Sequence, residues 1–328
     1  MRHFKLLFAL CFIIILSCKD HGKKSYLPSS IGAINTLIVV IDNELWKSKV
    51  GDKVREHFAA SSLGLTMDEP LFSIIQVPPA VFSGTVRNTR SVLYVQKDTL
   101  NLAHIKTDLY SKPQKVAVIK GITEDELIEN LDNKANEFIT TFKKLEINEA
   151  QNRFLRSLNK DKGINEKFGV TLNIPSLYKV VKQEDNFVWV EGLIQKGTVN
   201  LIVYEMPWDN FKVDSTFVRD IVRMRDSIGS LYIPGPDVPG KRTHMRTEPA
   251  FSPSVFPAEV AGRKAAEVRG LWDIKNYPMA GPFLTYIVND KEHNRKMVVE
   301  GFTFAPATEK RDYMFELEAI MKTLRFNK

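Results

Sequence analysis

Short β-branched runs of apolar residues predict strands along the whole chain. In the first half they cover residues 36–41, 71–77, 91–96 and 115–119; in the second half they cover residues 178–181, 187–193, 199–204, 266–272, 282–288 and 297–304. Most of these runs are joined by turn-length connections. Such spacing favours antiparallel sheets over βαβ crossovers.

Apolar residues at three- and four-residue spacing predict helices between the strands. One helix is expected over residues 44–58, and a long one begins after Thr123, where Glu126 completes a capping box. Two more are expected over residues 214–228 and 310–324. The predicted class is therefore α+β, with mostly antiparallel sheets and packed helices. In the C-terminal half the order strand-strand-strand-helix occurs twice, which suggests an internal duplication.

The periodic segments divide into two α+β units, over residues 35–160 and 161–328. The second unit contains a proline-rich loop, residues 229–260, which holds six of the sixteen prolines. Proline fixes φ and lacks a backbone donor, so neither a helix nor a central strand is expected there. A stiff loop loses little entropy on binding and suits recognition. The alternative is a passive connector between the two repeats.

The N-terminus has the features of a lipoprotein signal peptide, residues 1–17. Arg2 and Lys5 precede an apolar run of eleven residues, which is too short to span a bilayer as a helix. The run ends in Ile-Leu-Ser-Cys, which resembles the bacterial lipobox. The resemblance implies that Cys18 is lipidated and anchors the protein to the membrane. Residues 18–34 are polar and aperiodic, so a flexible tether is predicted.

Composition and charge exclude several kinds of site and partner. Loss of the signal peptide would remove Cys11 and leave Cys18 as the sole cysteine, which excludes disulfides and cysteine-based metal sites. The formal charge would fall from +7 to +5, because Arg2 and Lys5 are lost. Acidic and basic residues are interspersed without a run of five like charges, so a nucleic-acid partner is not expected.

No linear motif predicts catalysis. The segment GPDVPGK, residues 235–241, resembles a phosphate-binding loop but is followed by Arg242 instead of Ser or Thr. The histidines lack metal-ligand spacing, and no GxSxG elbow occurs. We therefore predict no catalytic residues, no metal and no cofactor, and we favour a protein that is not an enzyme.

Aromatic residues are the remaining candidates for binding. Trp208 and Trp272 lie near strand ends beside loops, where an exposed indole can stack on a sugar or anchor a partner. Core packing is the simpler explanation for both.

Three segments together resemble an uncharacterised cell-envelope lipoprotein family of Bacteroidota, domain of unknown function 4837. They are IGAINTLIVVIDNELWKSKVGDKVREHF, AAEVRGLWDIKNYPMAGPFLTYIVND and VEGFTFAPATEKRDYMFELEAIMKTL. The most characteristic parts run from Arg269 to Trp272 and from Gly281 to Phe283. The resemblance implies an envelope lipoprotein and supplies no catalytic residues. Three strands followed by a helix is also similar to the PsbP-like fold, an analogy of fold alone.

The sequence thus predicts a lipid-anchored envelope protein, on the outer membrane, that binds or scaffolds an envelope protein. The alternatives are a binding module for a glycan or small ligand and, more remotely, a hydrolase without a linear motif. The residues predicted to bind a ligand or partner are Trp208, Arg269, Trp272, Met279 and Phe283.

Overall fold

The structure is a computed structural model and describes residues 26–211 and 216–327. The predicted signal peptide, Cys18 and the first part of the tether lie outside the described residues, so lipidation stays a prediction. Among the residues that are described, no helix is both long enough and apolar enough to cross a membrane.

Helices and strands both make up large parts of the chain, and the α+β class is confirmed. The helices are α1 (Asn43–Lys47), α2 (Lys49–Phe58), α3 (Glu124–Phe154), α4 (Gly163–Phe168), α5 (Phe217–Tyr232) and α6 (Arg311–Met321). The strands are β1 (Thr36–Val40), β2 (Ser73–Val77), β3 (Ser91–Lys97), β4 (Leu102–Thr107), β5 (Lys115–Gly121), β6 (Val170–Thr171), β7 (Lys179–Glu184), β8 (Phe187–Ile194), β9 (Gly197–Pro207), β10 (Met245–Thr247), β11 (Ser254–Val260), β12 (Arg263–Ile274), β13 (Tyr277–Asp290), β14 (Arg295–Phe304) and β15 (Arg325–Phe326).

The N-terminal sheet has the strand order β2-β1-β3-β5-β4. Strand β1 pairs in parallel with β2 and β3, β3 pairs in parallel with β5, and β4 pairs with β5 antiparallel. This sheet therefore differs from the antiparallel pairing expected of the chain as a whole. Helices α1 and α2 carry the chain from the end of β1 back to the start of β2, which is the crossover that a parallel pair requires. Strand β4, which was not predicted, is a half-buried edge with a weak apolar pattern.

The helix predicted over residues 44–58 is interrupted at Ser48. Its backbone is extended, and its hydroxyl accepts a hydrogen bond from the amide of Val50, so it caps α2 instead of continuing α1. Gly51 permits the bend, because a β-carbon there would collide with the carbonyl oxygen of Trp46. The long helix α3 begins as predicted, with Thr123 accepting from the amide of Glu126.

The C-terminal sheet has the strand order β10-β12-β13-β14-β9-β8-β7, with antiparallel pairs throughout. Its two faces bury separate cores. Helix α6 packs on the face of Leu201 and Val299, whereas α5 packs on the face of Ile202 and Val298. The order strand-strand-strand-helix therefore occurs twice, and its two helices cover opposite faces of one sheet.

The proline-rich segment is more ordered than the predicted loop. Helix α5 continues to Tyr232, and β10 and β11 lie within the segment. Both pair with the outer edge of β12, where Pro257 lies opposite Ala266. Proline is compatible with an edge strand because its missing donor can face away from the sheet.

The two halves of the molecule meet at α6. Its first turn belongs to the C-terminal half, but the amides of Lys310 and Arg311 donate to the Glu69 carboxylate at 2.6–2.8 Å. Asn35 donates to Asp312 on the same turn. Helix α3 also packs against α6. These contacts place residues of both halves around one cleft.

Candidate functional site

The five predicted binding residues do not form one surface. Arg269 lies in a cleft between the two halves, and Trp272 and Met279 line a pocket on the opposite face of the C-terminal sheet. Phe283 is buried beneath the guanidinium of Arg225, 3.4 Å from its ring centre. Trp208 is half-buried beside the amine of Lys296, 5.0 Å from its ring centre. Two separate sites therefore need description.

The first site, the interface cleft, has a volume of about 390 Å³. Its charged wall contains Lys143, Arg269 and Glu318, and its apolar wall contains Leu65, Phe256 and Phe315. Lys143 and Leu65 come from the N-terminal half and the others from the C-terminal half. Clefts between structural units are common locations of small-molecule sites.

Arg269 organises the charged wall. Its Nε lies 2.6 Å from Glu267 and its Nη2 lies 2.7 Å from Glu318. The second oxygen of Glu267 accepts from the Tyr286 hydroxyl at 2.8 Å, and the second oxygen of Glu318 accepts from Lys322 at 2.6 Å. All four carboxylate oxygens are therefore already bonded to protein groups.

Lys143 is different from its neighbours. It projects from α3 into the cleft, yet its amine has no hydrogen bond or ion pair with any other described residue. Three cations, Lys143, Arg269 and Lys322, surround two carboxylates, so the wall carries one positive charge in excess. Arg311, which also lines the cleft, is paired with Asp312. The excess charge is thus located at Lys143.

Burial and neighbouring charges shift the pKa values of this wall. Burial lowers the pKa of the Lys143 amine, with the nearby Glu318 only partly offsetting it. For Glu318, burial opposes ionisation, but the charges of Arg269 and Lys322 prevail and hold the pKa of the carboxyl at about 2. Burial, reinforced by Glu318 and Glu267, raises the pKa of Tyr286. At neutral pH Glu318 is therefore ionised and Tyr286 is a neutral donor.

The second site, the aromatic pocket, has a volume of about 350 Å³. It is defined by Trp189, Trp272, Met279, Phe302, Phe304 and Glu191. The ring of Phe302 lies 5.8 Å from Trp272 and 6.2 Å from Trp189, and Phe304 lies 6.4 Å from Trp272. The rim is formed by Pro234, Gly235 and Pro236, where the proline-rich segment begins.

Two polar groups of the aromatic pocket lack partners among the described residues. The Glu191 carboxylate has neither a hydrogen bond nor an ion pair, and burial raises its pKa. The Nε1 of Trp272, a side chain only 1% exposed, is buried without an acceptor. By contrast, the Nε1 of Trp189 donates to Asn200 at 2.9 Å. Glu191 is only half-buried, but an unpaired buried group such as the Trp272 N–H is rare and calls for an explanation.

One group of potential metal ligands was not predicted. Asp290, Glu292 and His293 bring ligand atoms within 4.8 Å of one another at the end of β13. Asp290 also pairs with Arg263 and Arg295, and Glu292 pairs with Arg263. A cation would have to displace these arginines, so the group is better described as a network of ion pairs.

Sequence analysis missed Lys143 and Glu191, although both leave a signal. Lys143 is four residues from both Ile139 and Ile147, so it interrupts an apolar stripe of α3. Glu191 follows Phe187 and Trp189 at two-residue spacing, so it occupies an inward-facing position of β8. In both sites the signal is a charged residue at a position where the apolar periodicity predicts a buried hydrophobic one.

Comparison with known proteins yields two family matches. The model described as Domain of unknown function (DUF4837) matches residues 157–323, and that described as Domain of unknown function (DUF8532) matches residues 30–155. No curated protein matches the chain. A crystal structure from Bacteroides thetaiotaomicron VPI-5482, at 1.50 Å resolution, is similar with 12% identity and a TM-score of 0.26. The similar region covers 49% of this chain and 46% of that one.

Proposed function

The chain belongs to the family described as Domain of unknown function (DUF4837), and we propose that it is a lipid-anchored envelope protein that binds a small organic anion in the interface cleft. The observation that carries the binding proposal is the unpaired amine of Lys143 beside an apolar wall. A carboxylate with an apolar body would satisfy both features. It would place its charge on Lys143 and its hydrocarbon against Leu65, Phe256 and Phe315.

The charges of the cleft favour binding over hydrolysis. A general base needs a carboxylate that is free to accept a proton from a water molecule or substrate. Both oxygens of Glu267 and of Glu318 already accept hydrogen bonds from protein groups. The cleft therefore provides a fixed charged surface with one unused cation, which is suited to holding an anion.

Calorimetric titration of the folded protein with three eight-carbon probes tests this proposal. Octanoate should bind, whereas octylammonium and octanol should bind at least about tenfold more weakly, because they cannot pair with Lys143. Lys143→Met should weaken octanoate binding about tenfold. Lys144→Met is the matched control, because Lys144 is the exposed neighbour on the same helix. Equal affinity for octanol and octanoate would refute the proposal.

The anchoring part of the proposal depends on the lipobox at Cys18. Acylation at this thiol would attach the binding body to the envelope, on the outer membrane. The tether would be shorter than the predicted residues 18–34, because the amides of Ser30 and Ile31 donate to the carbonyl oxygens of Lys112 and Asn88 in the N-terminal half. Two or more acyl chains anchor a protein stably, whereas a single chain does so only marginally. In the native host, labelled palmitate should enter the wild type and Cys11→Ala but not Cys18→Ala. Labelling of Cys18→Ala at the wild-type level would exclude the anchor.

A further inference from the structure

The aromatic pocket differs in chemistry from the interface cleft. Its walls are aromatic rings, and its only charged lining residue among those described is Glu191. The negative faces of aromatic rings and a carboxylate both attract cations. We propose that the aromatic pocket is a second, independent binding site and that its ligand is a small organic cation, an ammonium group on an apolar body.

The first support is the state of Glu191. Its carboxylate lines the pocket and has no hydrogen bond or ion pair with any residue that the structure describes, and desolvation is the cause of its raised pKa. Lys179 lies opposite it in the register of β7 and β8 but is exposed and forms no ion pair with it. An ammonium group bound against Glu191 would supply the missing charge.

The second support is the arrangement of the rings. Trp189, Phe302, Trp272 and Phe304 form a connected cluster whose neighbouring centres are 5.8–6.4 Å apart. A cation is attracted when it lies within about 6 Å of a ring centre, over its face. Several rings around one cavity allow a single alkylammonium group to contact more than one of them.

The third support is that the cavity is already formed. Its volume of about 350 Å³ falls within the range of small-molecule sites, about 300–1,000 Å³. The rim at Gly235 packs so closely on Ile274 and Thr243 that a β-carbon would clash. Pro234 and Pro236 flank this glycine and restrict the backbone of the rim. A ligand would therefore enter without the cost of ordering the rim.

The test is a titration of the folded protein with benzyltrimethylammonium, its uncharged carbon isostere neopentylbenzene, and phenylacetate. Benzyltrimethylammonium should bind at least about tenfold more tightly than the other two. Glu191→Gln should weaken that binding about tenfold, and Phe304→Leu should weaken it several-fold. Lys179→Gln should preserve or strengthen it, because a positive charge near the site is removed.

Thermal transitions of each variant separate lost binding from lost folding. Lys143→Met, in the interface cleft, should leave benzyltrimethylammonium binding unchanged, and Glu191→Gln should leave octanoate binding unchanged. The two binding proposals can thus be refuted independently of each other. The proposal is overturned if neopentylbenzene binds as tightly as the cation, if folded Glu191→Gln retains wild-type affinity, or if the cation does not bind at millimolar concentration.

Discussion

The interface cleft and the aromatic pocket lie on opposite faces of the C-terminal sheet, and strand β12 contributes to both. Arg269 points into the cleft and Trp272 into the pocket, although only two residues separate them. Successive side chains of a strand alternate between faces, so residues three apart face opposite sides. The segment from Arg269 to Trp272, which is characteristic of the family resemblance, therefore supplies one residue to each of the two sites.

The two sites also differ in how their charges are satisfied. In the interface cleft, both carboxylates are held by cations and one cation is left over. In the aromatic pocket, one carboxylate and one indole N–H are left over. Groups that are left unpaired inside a cavity are the ones most readily assigned to a ligand. The unpaired charges of the two sites are opposite, because Lys143 is a cation and Glu191 is an anion. This contrast can be tested by changing single residues on each side.

The largest effect is expected at the floor of the aromatic pocket. Trp272→Ala should lower the free energy of unfolding by about 3–5 kcal/mol, because the indole is only 1% exposed and its removal leaves a cavity. Phe256→Ala, in the interface cleft, should cost less because that ring is 37% exposed. Urea denaturation measures both. A small loss for Trp272→Ala would mean that the indole is a removable anchor and not part of the core.

Lowering the pH should remove the stability that the charged wall of the interface cleft contributes. The folded-state pKa of Glu318, about 2, lies below its ordinary value of 4.5. Its contribution to stability is therefore present above pH 4.5 and is lost as the pH falls towards 2, amounting to about 3 kcal/mol. Denaturation midpoints between pH 5 and pH 2 should fall more steeply for the wild type than for Glu318→Gln.

Glu316→Gln is the control on the same helix. Burial raises the pKa of Glu316, so its contribution has the opposite dependence on pH. This variant should keep the acid sensitivity that Glu318 confers. Parallel curves for the wild type and Glu318→Gln would contradict the assigned role of the wall.

Periodicity was sufficient to predict the main strands and the long helix, because each buries a face whose apolar residues recur regularly. It did not predict the parallel order of β1, β2, β3 and β5, since pairing direction depends on where the connecting helices return the chain. It also missed β10 and β11; β11 contains Pro257, which is tolerated because the strand lies at a sheet edge. The apolar pattern of one segment does not specify which distant strand it pairs with.

The candidate sites were predictable in part. Arg269, Trp272 and Met279 were recognised, but the two cavities they line depend on contacts between distant segments. Lys143 and Arg269 meet only because α3 packs against α6. Arg269 pairs with nearby Glu267, but its second pair, with Glu318, joins residues that are far apart in sequence and could be found only in the folded chain.

A moderate effect is expected where the two halves are joined beside the interface cleft. Glu69 accepts the first amides of α6, and its negative charge lies at the positive end of that helix. Glu69→Gln should lower the free energy of unfolding by about 1–2 kcal/mol. Asp68→Asn, at the exposed neighbouring residue, should cost less than about 0.5 kcal/mol. Equal effects of the two variants, measured by urea denaturation, would argue against this link.

The smallest effects are expected at the two unpaired charges, and their dependence on pH should be opposite. Lys143→Met and Glu191→Gln each remove a charge that burial disfavours, so each should leave stability unchanged or raise it by less than about 1 kcal/mol. The lowered pKa of Lys143 makes its penalty greatest at neutral pH and removes it as the pH rises towards 10.5.

The raised pKa of Glu191 makes its penalty disappear as the pH falls below 4.5. The advantage of Lys143→Met over the wild type should therefore shrink in base, and that of Glu191→Gln should shrink in acid. Thermal denaturation from pH 4 to pH 10 measures both. If either variant were instead strongly destabilised at neutral pH, its charged group would have a protein partner, and the corresponding site would lose the unpaired charge on which its ligand class depends.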